Sequence, residues 1–244
     1  MTTKIDTAMI LAAGFGTRMR GLTKDRPKAL VTLVGRPLVD WVMERCRVGG
    51  IEHFVLNAHY KAEVLEDYFR SFDLPVTVLH EDPILETGGG VKNALPLLGE
   101  GAFLVANCDS VWLDGVRPAV QRLIEAWDDN RMDALLMLHP TVHAGDYDGS
   151  GDFFIEEDGL HLRRRGEGEV APYLYAGVQI LHPRLFDDMP DGAWSLNRAY
   201  DKAAEAGRLY GMLHDGEWYH TGSPEQLDHA ARIIASGNTS TNTR

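Results

Sequence analysis

Cysteine is scarce in this chain of 244 residues, which carries only Cys46 and Cys108. Two thiols cannot build a disulfide framework or a four-ligand zinc site, so the fold must be held by its core. Long apolar runs are missing too. None approaches the ~18–20 residues that a helix needs to cross a bilayer. The opening Met-Thr-Thr-Lys-Ile-Asp lacks the basic-then-apolar order of an export signal, and the expected location is cytoplasmic. Basic charge is the third shortage: 24 Lys and Arg face 36 Asp and Glu, a formal charge of −12. Such a chain repels nucleic acid and anionic membranes, and neither is an expected partner.

Apolar residues are plentiful at 44%, enough for a sizeable core. They come in short runs that alternate with amphipathic stretches. Strands are expected at 8–13, 53–57, 76–80 and 102–106, and helices at 37–47, 62–72, 90–98 and 116–127. That alternation predicts parallel strands with crossover helices, an α/β doubly wound sheet. After Asp133 the texture changes. Strands at 134–139, 153–155, 173–181 and 209–213 surround a hairpin signal, Glu157-Asp158-Gly159, with helices at 196–206 and 224–235. No Pro- or Ser-rich linker divides the halves. The expectation is one domain over 1–235, with a mixed, hairpin-containing second half and a disordered polar tail over 236–244.

The charge is unevenly spread. Residues 18–28 hold Arg18, Arg20, Lys24, Arg26 and Lys28 against Asp25, a local +4 that leaves −16 for the other 233 residues. This island follows a glycine turn, Leu11-Ala12-Ala13-Gly14-Phe15-Gly16-Thr17-Arg18. A strand ending in glycines lets a ligand approach backbone N–H groups that can hold phosphate oxygens. Arg18 offers a bidentate fork to phosphate and Lys28 a compact charge. The spacing fits neither the dinucleotide G-x-G-x-x-G pattern nor a Walker loop.

Three further segments are candidates. Leu85-Glu86-Thr87-Gly88-Gly89-Gly90 opens a helix whose N-terminal dipole favours an anion. Asn107-Cys108-Asp109 ends an apolar strand, where open α/β sheets bind ligands and where a carboxylate can hold Mg²⁺. Asn57 ends another. Cys108 has no motif beside it that would make it a nucleophile and reads as a buried filler. Asp146-x-Asp148-x-Ser150-Gly151 with Glu157 imitates a calcium loop but lacks flanking helices; it reads as a glycine-rich loop entering a strand. Arg163-Arg164-Arg165 reads as a solvated face.

The run LAAGFGTRM…T…RPKAL resembles the signature of the sugar-phosphate nucleotidyltransferases, with Gly21 and Ala29 standing where that pattern has prolines. The resemblance extends over about residues 7–230 and implies a Rossmann-like, GT-A-like fold. It also implies substrates: a nucleoside triphosphate and a sugar 1-phosphate, joined to a nucleotide-sugar with release of pyrophosphate. Arg18, Lys28 and Asp109 would be catalytic, with Asp109 on Mg²⁺. Leu11, Ala12, Ala13, Gly14, Gly16, Thr17, Asn57, Thr87, Gly88 and Asn107 would surround the nucleotide, and Asp152, Tyr175 and Gly177 the sugar. The closing Trp218-Tyr219-His220-Thr221-Gly222-Ser223-Pro224-Glu225 resembles the family's W-x-D-V-G-T-P-E, but His220 stands where the second metal ligand is expected. An imidazole there can touch phosphate, order a metal-bound water, or ligate Mn²⁺.

Within the family, the short chain and LETGGG favour uridylyl transfer from UTP to N-acetylmuramate 1-phosphate, as in cell-wall recycling. Guanylyl transfer to mannose or heptose phosphate stays open. So do a GT-A glycosyltransferase and a non-catalytic nucleotide sensor from other classes. A monomer or a small homo-oligomer is expected.

Overall fold

The computed structural model describes residues 4–72 and 74–239, with side chains to 237. The described residues form β1 (Thr7–Leu11), β2 (Thr32–Leu33), β3 (Arg36–Pro37), α1 (Leu38–Val48), β4 (His53–Ala58), α2 (Ala62–Phe69), β5 (Val76–His80), α3 (Glu86–Leu98), β6 (Phe103–Asn107), β7 (Ser110–Leu113), α4 (Ala119–Ala126) and β8 (Ala134–Pro140). The second half adds β9 (Phe153–Ile155), β10 (Leu162–Arg164), β11 (Tyr173–Leu181), α5 (Asn197–Glu205), β12 (Leu209–Leu213), β13 (Glu217–His220) and α6 (Pro224–Thr239).

Nine of these strands share one sheet. β6, β1, β4 and β5 run parallel, so their carboxyl ends meet at one edge. β11 joins β6 antiparallel, β8 joins β11 antiparallel, and β12 lies parallel to β8. The hairpin β9–β10 attaches to β11 at Tyr173. The doubly wound half and the mixed half are therefore one continuous sheet.

Period-two alternation builds a core on each face. Ala8, Ile10, Phe54, Leu56, Leu104 and Ala106 face one core, which takes Val42 and Cys46 from α1, Leu65 from α2 and Leu123 from α4. Met9, Val55, Phe103 and Val105 face the other, which takes Val91 and Ala94 from α3 and Ala199 and Ala203 from α5. With both faces covered, the central strands are apolar throughout, which is why they read as short runs rather than alternations. A third cluster joins Leu227 and Ala230 of α6 to Met19, Leu33 and Leu38.

Several boundaries differ from the sequence expectation. β1 stops at Leu11, because the next amide, Ala12 N–H, donates to Asn57 Oδ1 at 2.8 Å instead of to a strand. α3 starts at Glu86, so its glycines lie inside the first turns. α4 begins only after Pro118, whose ring has no N–H for a helix interior. α6 runs on to Thr239, four residues past its expected end and into the polar tail, of which 240–244 lie outside the described residues. β7 and β13 were not expected; they pair antiparallel, with His220 opposite Ser110.

Candidate active site

The carboxyl ends of the parallel strands open onto a cavity of about 460 Å³. Leu11, Ala12, Ala13, Gly14, Gly16, Thr17 and Arg18 line it from β1 and its loop, Asn57 from β4, Thr87 from α3, Asn107 from β6 and Asp109 from the turn after it. Lys28 completes the wall.

The glycine loop is shaped by close packing. Gly16 has φ +63°, and a Cβ there would lie 3.0 Å from Thr23 Cγ2 and 3.1 Å from Lys28 Cβ. Glycine alone meets both demands. Thr23 Oγ1 donates back to the carbonyls of Gly16 and Arg20 at 3.3 and 3.2 Å, which folds the basic island against its own start. Lys28 is thereby buried, and its Nζ donates to Asp109 Oδ2 at 2.8 Å. Arg18 is exposed and faces the cavity. Arg20 instead pairs with Glu225 of α6 at 3.0 Å.

Burial alone would raise the Asp109 carboxyl, but Lys28, His220 and Arg18 together hold it below its ordinary value. It is an anion at neutral pH. His220 is brought beside it: Thr221 N and Oγ1 both donate to the Asp109 carbonyl, at 3.0 and 2.9 Å. Burial lowers the His220 imidazole, and Lys28 and Arg18 push the same way against Asp109, so it is neutral. His220 itself lines a smaller neighbouring cavity of about 100 Å³.

A buried carboxylate absent from the sequence expectation braces the β1 loop against the start of α3. Glu81 is 3% exposed and accepts from Asn57 Nδ2 at 2.7 Å and from Leu85 N–H at 3.0 Å. Asn57 in turn holds Ala12. One chain of hydrogen bonds therefore sets the spacing between the β1 loop and the start of α3. The α3 glycines answer to the same crowding. A Cβ on Gly90 would lie 2.7 Å from Glu81 Oε1, and one on Gly89 2.0 Å from the Gly192 carbonyl oxygen.

Gly88 departs from its expected place. It does not line the cavity; its N–H donates to the Trp194 carbonyl at 2.8 Å and a Cβ would strike the Trp194 ring. Its lack of a side chain admits the indole. Gly177 is also buried away from the cavity, at φ +85° in the register break of β11, against the Ser110 side chain. Asp152 and Tyr175 line a separate cavity of about 410 Å³ with Arg164 and Arg165. Asp152 Oδ2 accepts from Tyr175 N–H at 2.8 Å. Of the arginine run, Arg163 alone is exposed, paired with Glu169.

Ile84, Glu86, Cys108, Ser195 and Gly222 also line the main cavity. Ser195 comes from the loop before α5, where nothing in the local sequence marks it. Burial pushes the Cys108 thiol up to about 12, so it offers no thiolate nucleophile. The calcium-like loop is no metal site: Asp146 pairs with His229 at 3.2 Å, and β9 follows where a helix would be needed.

The donor set suits a hard divalent cation. Magnesium is commonly held by one or two carboxylates together with substrate phosphates and waters, and Asp109 supplies an anionic oxygen at the cavity wall. Asp6, Glu52 and His53 also cluster, but at the amino ends of β1 and β4, the opposite edge of the sheet. Lys4 caps that cluster at 3.3 Å from Asp6 and 2.8 Å from Glu52.

A glycine loop, a half-buried lysine–aspartate pair and an exposed arginine meet at the carboxyl edge of the sheet, where open α/β sheets bind their ligands. The chain belongs to the family of the MobA-like NTP transferase domain, whose model matches residues 8–213. It is 43% identical to N-acetylmuramate alpha-1-phosphate uridylyltransferase of Caulobacter vibrioides, over 93% of this chain and 96% of that one. It is 31% identical to the enzyme of the same name from Neisseria meningitidis, over 94% and 98%. In fold it is similar to UDP-glucose pyrophosphorylase solved with UDP-glucose, at a TM-score of 0.81, 18% identity, and coverage of 96% and 100%.

Proposed function

We propose that this chain is a uridylyltransferase that joins UTP and N-acetylmuramate 1-phosphate to UDP-N-acetylmuramate and pyrophosphate. The observation that carries it is the likeness, nearly end to end, to uridylyltransferases acting on that sugar phosphate, joined to a cavity with cations at the phosphate end. A sugar-phosphate oxygen attacks the α-phosphorus of UTP in line. The new O–P bond forms as the bond to the β-phosphate oxygen breaks, and pyrophosphate leaves with the electron pair. No protein nucleophile is required, since positioning and charge neutralisation lower the barrier.

Arg18 holds the triphosphate and the departing pyrophosphate. Lys28 lies between the α-phosphate and the sugar phosphate, and its bond to Asp109 keeps it from swinging into solvent. The small side chains of Ala12 and Ala13, with Gly14 and Gly16, leave room for the nucleoside, while Asn57, Thr87 and Asn107 flank it. Asp152 and Tyr175 face the sugar. Asp109 would hold Mg²⁺, or Mn²⁺ in its place, an ion that would supply neutralisation of phosphate charge; His220, neutral beside Asp109, is placed to act on a water or a phosphate oxygen. Residues 1–235 act as one domain, and the enzyme is cytoplasmic and a monomer or small homo-oligomer.

A pyrophosphate-release matrix tests this reading, with four nucleoside triphosphates against N-acetylmuramate, N-acetylglucosamine, mannose and heptose 1-phosphates. UTP with the muramate phosphate is expected to give the highest kcat/KM. Preference for GTP with mannose or heptose phosphate would replace it, and no turnover with any pair would overturn it.

A further inference from the structure

The second cavity carries an asymmetry of charge that the function above does not use. Four Asp, Glu or Arg side chains line it: Asp152, Arg164, Arg165 and Glu167. Arg164 is committed, its Nε and one terminal nitrogen each 2.7 Å from the two Asp201 carboxylate oxygens. Arg165 is held differently. Its Nε donates to the Gly151 carbonyl at 2.8 Å, and Nη1 reaches the carbonyls of Gly166 and Glu169 at 3.4 Å. These neutral acceptors fix the guanidinium in place, while the carboxylates of Asp152 and Glu169 feel its charge without a hydrogen bond to it. Among the described residues, Nη2 has no protein hydrogen-bond partner.

The rest of the lining matches a sugar ring. Asp152 offers a carboxylate oxygen to hydroxyls, and Tyr175 and Tyr200 stand edge-to-face at 6.2 Å as an apolar wall. The two cavities adjoin. Ser195 lines the first and Asn197 the second, on either side of Leu196, whose N–H donates to Thr87 Oγ1 at 2.9 Å. Burial pushes the Tyr175 phenol well up, and Asp109 in the first cavity adds to that rise.

We infer that Arg165 is a specificity-determining residue that reads a carboxylate on the sugar phosphate, with the hydroxyl-bearing ring between Asp152 and the tyrosine pair. This rests on the function proposed above. N-acetylmuramate carries a lactyl carboxylate on its O3, and N-acetylglucosamine does not. A guanidinium fixed by backbone carbonyls is preorganised for a planar carboxylate, so little side-chain entropy is lost on binding.

Steady-state kinetics with UTP and Mg²⁺ test it, comparing the 1-phosphates of the two sugars. In Arg165→Gln, KM for the muramate substrate should rise roughly 10- to 100-fold, the size of a lost charge-assisted bond. Its kcat should stay near wild type, the glucosamine substrate should be unaffected, and Arg165→Lys should recover part of the loss. Arg163→Gln, from the exposed salt bridge next door, should behave as wild type. An equal fall for both substrates, or none for either, overturns the inference. Calorimetric titration of both sugar phosphates separates this from failure of the parent reading. If wild type binds the muramate phosphate more tightly and Arg165→Gln loses the preference, Arg165 keeps its role even without turnover. If wild type shows no preference, the role falls.

Discussion

Removing either partner of the Lys28–Asp109 pair would strip one charge from the reacting phosphates and leave the other charge half-buried and unmatched. Lys28→Ala and Asp109→Ala should each lower kcat/KM by roughly 10²–10³, as loss of one preorganised charge does elsewhere; turnover at wild-type level in either variant would refute these roles. His139 supports a second expectation. It is 3% exposed and packed near His143, His214 and Trp218, and burial lowers its imidazole to about 4, with His214 adding to the fall. A histidine that resists protonation when folded but accepts it when unfolded contributes stability above about pH 6.5, lost as pH drops toward 4. His214 and His220 are lowered in the same direction. Urea midpoints should therefore fall between pH 7 and pH 5, and His139→Leu should flatten that slope. A curve of unchanged steepness in the variant would remove His139 from the account.

At the scale of elements, the site depends on how closely α3 approaches the 192–194 loop and the Glu81–Asn57 pair. Gly88→Ala would place a methyl 2.3 Å from the Trp194 ring, and Gly89→Ala one 2.0 Å from a backbone oxygen. A ring can shift where a carbonyl in a fixed loop cannot. Both should destabilise, by about 1–3 kcal/mol for overpacking, with Gly89→Ala the worse and both raising KM for the nucleotide. Melting midpoints and KM values of the two variants check the order. The three glycines show how a sequence pattern can be legible and its cause not. LETGGG brings Glu86 and Thr87 to the cavity wall, yet Gly88 meets an indole supplied from 106 positions along the chain, a contact local reading has no means to see. Arg163-Arg164-Arg165 is a similar case. The solvated face holds for Arg163, while pairing of β10 with β9 turns its two neighbours toward a cavity.

For the whole molecule, the −12 charge and the basic loop are reconciled by placement. Arg18 and Lys28 face a cavity whose lining holds only Glu86 and Asp109 as acids, and Arg20 reaches across to Glu225 of α6. Two apolar cores on the faces of one sheet and a third under α6 give folding a driving force that owes nothing to a metal ion. Chelation with EDTA should consequently abolish turnover while leaving the melting midpoint within about 2 °C, a change smaller than 1 kcal/mol would cause in a domain of this size. A large fall in the midpoint would assign the ion a structural role.

Periodicity by itself determined the alternating strands and helices, because apolar side chains at periods of 2 and 3.6 leave few choices for what they bury. Glycine followed by Arg18 and Lys28 already pointed to the cationic wall of the cavity, since backbone donors and fixed charge are chemical properties of local residues. Tertiary structure alone decided which distant groups meet there. Glu81 under Asn57 and Ser195 at the cavity rim are set by strand pairing and helix packing across the sheet. Such contacts depend on register between segments far apart in the chain, and no stretch of sequence carries that register within itself.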